Sequence, residues 1–368
     1  MVIPDSTRLI FNPKVKFVDY FVDEKSDGFW LPIHSETNSN FNITCKNFNF
    51  NVKKWTLQYD DSVHGTCDYE ENFILLIKTE LFLQLFEPFS YRPFMKSFII
   101  QSNIVRLNIK LLQISLFQRG TKLFTTERSH SKKLQFNNYR IKKLFQDLGI
   151  KKVENRNHNL TEWFGCNRNT ARCFGTIYND QPDYLLQNRW LPPCCRNNLE
   201  QVGRYVFDIL DRFEVRYWLE GGSLLGAARN GEIIEWDYDI DIGIYREDSK
   251  KFPILDRLLY AEPGSSVVDG QGFQWEKAID GDYLKIHFSQ TNRIHVDIFP
   301  FEPVDGTMTK KTWFENHPQD MPFPEHYLRP LTKIKFIGVE VWAPNNITKF
   351  LEMKFGSGAI ENPKYPGN

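Results

Sequence analysis

The chain has 368 residues with 46 basic and 46 acidic side chains, so it carries no formal net charge and bulk charge selects no nucleic-acid or membrane partner. Its 41% hydrophobic content, including 31 phenylalanines, excludes a disordered chain and is enough to fill two cores. No run reaches eighteen uninterrupted apolar residues, and MVIPDSTRLIFNPKVKF lacks the charged-then-apolar layout of a signal peptide, so neither an anchor nor a leader is expected.

Residues 1–160 read as a smaller mixed domain without a catalytic signature. VKKWTLQYD (52–60) and FMKSFII (94–100) have the aromatic and β-branched content of strands. ENFILLIKTELFLQLF (71–86) predicts a helix or a strand pair, and NIVRLNIKLLQISLF (103–117) predicts a strand, with a buried helix as the competing reading. Apolar residues at Leu134, Ile141, Leu144, Phe145 and Leu148 predict an amphipathic helix over 132–148. From 92 to 156 only Glu127, Asp147 and Glu154 oppose many basic residues, which reads as a solvated helical face. The polar stretch 154–159 predicts the linker to a second domain, 161–368.

In the second domain Asn198 is placed to cap a helix, with Gln201 completing a capping box and an apolar stripe at Val202, Tyr205, Val206, Ile209, Leu210 and Phe213. A strand is expected over 215–219 and a short helical turn over 223–229. An acidic strand follows, then a hairpin of DYLKIHF (282–288) and RIHVDIF (293–299), and last a helix ITKFLEMKFG ended by Gly356.

The chemistry is concentrated in WLEGGSLLGAARNGEIIEWDYDIDIGIY (218–245). Gly222 and Ser223 open a helical turn, where backbone N–H groups and a hydroxyl can meet phosphate oxygens. Asp237, Asp239 and Asp241 recur at the strand period, so their carboxylates share one face and repel unless a cation sits between them. Mg2+ or Mn2+ suits such oxygen ligands. Asp297, between Val296 and Ile298, is expected to complete the metal set from the neighbouring strand. Lys285 and His287 share a face of the preceding strand and could contact phosphate or leaving group, and Arg229 could clamp the nucleotide phosphates. Asp239, Asp241 and Asp297 are therefore the expected catalytic carboxylates, with Asp237 either a further ligand or a strand-edge carboxylate satisfied by amides.

Cys166, Cys173, Cys194 and Cys195 gather around an aromatic-rich loop, 166–195. Four thiolates suit a structural Zn2+, and in an oxidising compartment two disulfides would staple the same loop. The sequons at Asn42, Asn159 and Asn346 speak weakly for a lumenal history, against the cytosolic reading of the N-terminus.

These motifs, with RIHVDIFPF and FGSGAIENPKYP, resemble the LicD-like phosphotransferases of the nucleotidyltransferase superfamily, in their fukutin-related group. The likeness is strong over 163–368 and loose before it. It implies an α/β (α+β) catalytic domain with a mixed sheet and an inserted zinc-binding loop, and transfer of ribitol 5-phosphate from CDP-ribitol onto a ribitol 5-phosphate-bearing O-mannosyl glycan of α-dystroglycan, releasing CMP. It further implies the Golgi as location, nucleotide phosphates at Gly222 and Ser223, divalent metal at Asp239, Asp241 and Asp297, and zinc at Cys166, Cys173, Cys194 and Cys195, near the phosphorylated acceptor. The N-terminal domain would assist a homo-oligomer. The family's N-terminal membrane anchor has no counterpart visible here. Two other readings compete: a CDP-choline-dependent phosphocholine transferase, which needs an aromatic cage for its quaternary ammonium, and a non-enzymatic zinc-containing glycan-binding protein.

Overall fold

The computed structural model describes residues 7–9, 26–34, 45–62, 73–85, 92–112, 117–120, 126–178 and 181–362. The chain divides into two units between Phe164 and Gly165. Among the described residues no helix is long and apolar enough to cross a membrane.

The first unit holds a five-stranded and a four-stranded sheet. Trp30, Leu75, Phe98, Ile100, Leu144 and Phe145 are central to its main core. Thr56–Ser62 is a strand and Glu127–Asp147 the amphipathic helix, as the sequence predicts. FMKSFII is not a strand: it begins the helix Phe94–Ile104, whose residues 97–102 are all buried. With Ser97, Gln101 and Ser102 buried alongside Phe98, Ile99 and Ile100, the helix shows no clean 3.6-residue apolar stripe, and FMKSFII then imitates a strand. Residues 73–77 form a strand and Thr79–Leu83 a helix, and the run from 103 divides into a helix end, Ile109–Leu111 and Phe117–Arg119. The stretch 154–159 is no linker but the turn region of the hairpin Lys152–Asn155 and Leu160–Trp163. Residues 42–44 lie outside the described residues.

The second unit is built on an eight-stranded mixed sheet. Its main path runs Tyr217–Leu219, Asp239–Tyr245, His295–Val304, Leu284–His287, Gln274–Lys277, Ser266–Val268. The acidic strand Asp239–Tyr245 lies parallel to His295–Val304 and antiparallel to Tyr217–Leu219. The helix Pro193–Arg212 starts at a proline, whose fixed φ favours the first helical position, six residues earlier than a cap at Asn198 would place it. Its residues Leu199, Val202, Val206 and Leu210 are wholly buried. Asn198, inside this helix, instead donates from Nδ2 to the Cys166 carbonyl at 3.0 Å and ties the cysteine loop down. The C-terminal helix Ile347–Phe355 takes its N-cap from Asn346, and Gly356 ends it at φ 88°.

Trp218, wholly buried, lies across the acidic strand at Gly243, where an added Cβ would stand 2.4 Å from the indole carbons. That glycine lets the largest side chain of the neighbouring strand fill the sheet face beyond the carboxylates. Gly243→Ala should therefore destabilise the chain by about 1–3 kcal/mol. Denaturant unfolding followed by tryptophan fluorescence checks it; an unchanged midpoint would mean that Trp218 moves aside freely.

Candidate active site and cation-binding centre

Strand register assembles the acidic group. Asp239 pairs with His295 and Asp241 with Asp297 across the parallel ladder, and Lys285 pairs with Asp297 on the other side. Because side chains alternate, these polar residues share one face while Ile240, Ile242, Val296 and Ile298 are fully buried on the other. Asp237 precedes the strand, yet its carboxylate still reaches the group: Oδ2 lies 2.7 Å from where a Cβ on Gly222 would stand.

The glycine-serine segment is the start of the helix Gly221–Asn230. Gly221 has φ +50°, a left-handed conformation that glycine adopts without strain. A Cβ there would come 3.3 Å from Asp241 Oδ2. Both glycines thus bring the helix N-terminus, with its unpaired amides and partial positive charge, directly against the carboxylates. Ser223 is buried, and its Oγ accepts the Asp241 N–H at 2.9 Å, pinning helix to strand. Glu220, just before the helix, accepts from Trp218 Nε1 at 2.7 Å and from Lys354 Nζ at 2.5 Å.

Electrostatically the group is short of positive charge. Burial first, and the Asp241 charge second, push the Asp237 carboxyl up to about 7. Asp239 and Asp241 are held well above the usual carboxylate range by burial and then by their acidic neighbours. Burial also raises Asp297, against the pull of His295 and Lys285. Asp297 Oδ1 is buried and accepts no hydrogen bond among the described residues. Ligand atoms of Asp239, His295 and Asp297 all lie within 4.8 Å of one another. Two carboxylates, one of them with an orphaned oxygen, and one imidazole fit a divalent cation.

Of the other expected site residues, Lys285 faces the group from the adjacent strand and lines a cleft of about 560 Å³ with Arg172, Arg293 and His295. His287 is not free for phosphate. Burial drives its pKa down to about 2, and both ring nitrogens are spent on Arg293: Nε2 lies 3.0 Å from its guanidinium and Nδ1 3.3 Å from its carbonyl. It positions Arg293, which also binds Glu276 at 2.8 Å. Arg229 is no phosphate clamp either. At the far end of its helix it donates to the carbonyls of Ala359 and Ile360 at 2.6 and 3.1 Å.

The cysteine loop adjoins the acidic segment. Phe174 packs edge-on against Tyr184 and Tyr238, and Tyr184 donates to the Trp236 carbonyl at 2.7 Å. Arg168 is held between Phe273 and Phe288. The structure pairs Cys166 with Cys194 and Cys173 with Cys195, across Cα separations of 5.7 and 5.8 Å. The sulfurs of Cys166, Cys173 and Cys194 also lie within 4.8 Å of one another, close enough to serve one metal ion.

Three contributors escape sequence reasoning. His295 shares a face with Asp297, a signal present in RIHVDIF, but a lone sheet histidine carries little weight. Glu220 carries no motif of its own beside the glycines. Lys310 has no local pattern: its buried ammonium sits 4.1 Å from the Phe299 ring, 5.1 Å from Trp313, 5.3 Å from Phe314 and 5.6 Å from Phe301, paired with Asp320 at 2.7 Å. It is the positive charge that most eases Asp241.

Residues 1–156 match the family model described as Fukutin-related protein stem domain, and residues 214–346 match LicD/FKTN/FKRP, nucleotidyltransferase domain. The chain is 43% identical over 324 residues to Ribitol 5-phosphate transferase FKRP of Mus musculus, and equally to that of Homo sapiens, covering 88% of this chain and 64% of each relative. It thus spans somewhat less than two thirds of their length. Over 58 residues it is 36% identical to Lipopolysaccharide cholinephosphotransferase LicD of Haemophilus influenzae, which is 16% of this chain and 20% of that protein. With a stem domain and a nucleotidyltransferase domain of one family matched in order along it, the chain belongs to the LicD/FKTN/FKRP family.

Proposed function

We propose that this chain transfers ribitol 5-phosphate from CDP-ribitol to a ribitol 5-phosphate-bearing O-mannosyl glycan on an α-dystroglycan-like glycoprotein, releasing CMP. The observation that carries the reading is the convergence of Asp239, Asp241 and Asp297 on the N-terminus of the glycine-serine helix. The name of the two relatives, Ribitol 5-phosphate transferase, supports the transferred group, and the CDP donor follows from the family resemblance.

In this reading Asp239, Asp241 and Asp297 hold Mg2+ or Mn2+, which when bound neutralises the donor diphosphate. The amides at Gly221 and Gly222 and the Ser223 hydroxyl face the phosphate oxygens. The acceptor hydroxyl forms a new O–P bond at the ribitol-bearing phosphorus as the bond to CMP breaks. Its proton goes to a carboxylate oxygen, and Asp237, the one carboxylate of the group not assigned to the cation, is placed to accept it. Arg172, Lys285 and Arg293 in the adjoining cleft supply cations for a phosphorylated acceptor. The exposed sequon residues Asn159 and Asn346 accord with a Golgi lumenal location.

The phosphocholine reading needs an aromatic cage. Phe299, Phe301, Trp313 and Phe314, a cluster with two rings from the Asp297 strand, already surround Lys310. An ammonium of the protein's own thus takes the place a quaternary ammonium would need. Purified chain given CDP-ribitol, CDP-glycerol or CDP-choline with a phosphorylated O-mannosyl glycopeptide should release CMP fastest from CDP-ribitol, with a product heavier by one ribitol phosphate. Faster release from CDP-choline would replace this reading by the phosphocholine one.

Asp239→Asn and Asp241→Asn should stay folded and lose at least about 99% of turnover, the scale of losing key transition-state electrostatics. Asp297→Asn should also shift the metal optimum. Full activity in saturating magnesium would remove these residues from the chemistry.

We also propose one structural Zn2+ at Cys166, Cys173, Cys194 and Cys195, a reading supported by the grouping of the Cys166, Cys173 and Cys194 sulfurs and by Cys195 beside Cys173. Elemental analysis should then give one zinc per chain, lost from Cys173→Ser together with protease resistance of the loop. Non-reducing intact mass showing two disulfides, with no zinc, would establish the stapled loop in its place.

A further inference from the structure

We propose that His295 binds the catalytic divalent cation directly through Nε2, as a nitrogen ligand beside Asp239 and Asp297. The inference rests on reading this cluster as a cation site and adds a ligand to it. Three observations carry it.

The first is the tautomer. His295 Nδ1 lies 2.9 Å from the Arg293 carbonyl oxygen. A carbonyl only accepts, so Nδ1 carries the proton and donates it, which leaves the lone pair on Nε2. An imidazole oriented by Nδ1–H···O=C is the usual outer support of a metal-binding histidine.

The second is what Nε2 faces. It stands 3.5 Å from Asp297 Oδ1. That oxygen is buried and accepts no hydrogen bond among the described residues. Two lone pairs, one on nitrogen and one on an anionic oxygen, therefore look at each other in a site closed to water on one side. A cation bound by both at about 2.1 Å in neighbouring positions would set them about 3 Å apart, within a small relaxation of the observed distance.

The third is register. Asp239 is the direct parallel partner of His295, and ligand atoms of Asp239, His295 and Asp297 fall within 4.8 Å of one another. Two adjacent strands thus hold all three donors in place without a loop. His287, whose ring centroid is 5.3 Å away, cannot substitute, because Arg293 engages both of its nitrogens. One imidazole among carboxylates moves the preference from Mg2+ toward Mn2+ and other transition ions, since magnesium favours an all-oxygen set.

Mn2+ tests this spectroscopically and without reference to turnover. The full chain is titrated with Mn2+, alone and with CDP, and examined by pulsed electron paramagnetic resonance for the ¹⁴N modulation of a bound imidazole. Wild type should show it, His295→Asn should lose it and His287→Asn should keep it. His295→Asn should also weaken Mn2+ binding at least about tenfold, with a smaller loss for Mg2+. Bound Mn2+ without nitrogen modulation in wild type overturns the inference while leaving the carboxylate site intact, and needs no variant to fold. Modulation that survives His295→Asn and disappears in His287→Asn overturns it as well. Failure of Mn2+ to bind under either condition would remove the cation site and this inference together.

Discussion

Like charge held close together is the constraint around which the catalytic unit is organised. Asp237, Asp239, Asp241 and Asp297 crowd together at the start of a helix; burial raises all four carboxyls, and repulsion from neighbours within the group adds to it at Asp237, Asp239 and Asp241. A carboxylate removed from water is tolerated only when opposite charge or hydrogen-bond donors replace the water. The chain supplies some of that in fixed form: the amides at Gly221 and Gly222, the ammonium of Lys310 in its four-ring cage, and Lys285 from the next strand. The deficit that remains is localised at Asp297 Oδ1 and at the lone pair of His295 facing it. A site left incomplete in this way spends no reorganisation when a cation arrives, which is what a reaction driven by charge neutralisation requires.

Much of the surrounding structure keeps that crowding in register. The parallel ladder fixes the two carboxylate strands, and Ser223 ties the helix to the Asp241 amide. Trp218 spans Gly243 and donates to Glu220, so the same indole fills the sheet face and orients the residue that precedes the helix. The aromatic loop around the cysteines reaches the acidic segment through Phe174 and Tyr184, which links whatever closes that loop to the shape of the entrance.

How much of this was legible follows from how local each signal is. Period two makes Asp239, Asp241 and Asp297 readable from a few residues, because a strand decides side-chain direction without help from the rest of the fold. Asp237 breaks that reading, since it stands before the strand and joins the group by a turn. Arg229 and His287 have the right chemistry and position along the chain, but partners 131 residues away for the one and just before the adjoining strand for the other claim their hydrogen bonds. Lys310 was invisible because its cage comes from a distant strand and a loop. FMKSFII illustrates the same limit in the first unit: a helix buried all round loses the periodicity that would reveal it. Local pattern fixes direction; it does not say who else arrives.

Residues 354–360 hold the glycine-serine helix at both of its ends. Lys354 neutralises Glu220 at one end of the glycine-serine helix, and the carbonyls of Ala359 and Ile360 hold Arg229 at the other. These contacts lie beyond residues 214–346, the stretch that matches the nucleotidyltransferase domain, yet they grip the element that borders the carboxylates. Without Lys354, Glu220 would stand as a fifth unbalanced negative charge beside the cluster, and without the carbonyls of Ala359 and Ile360 the far end of the helix would lose its hold, so the charge balance of the site depends on residues outside the matched stretch.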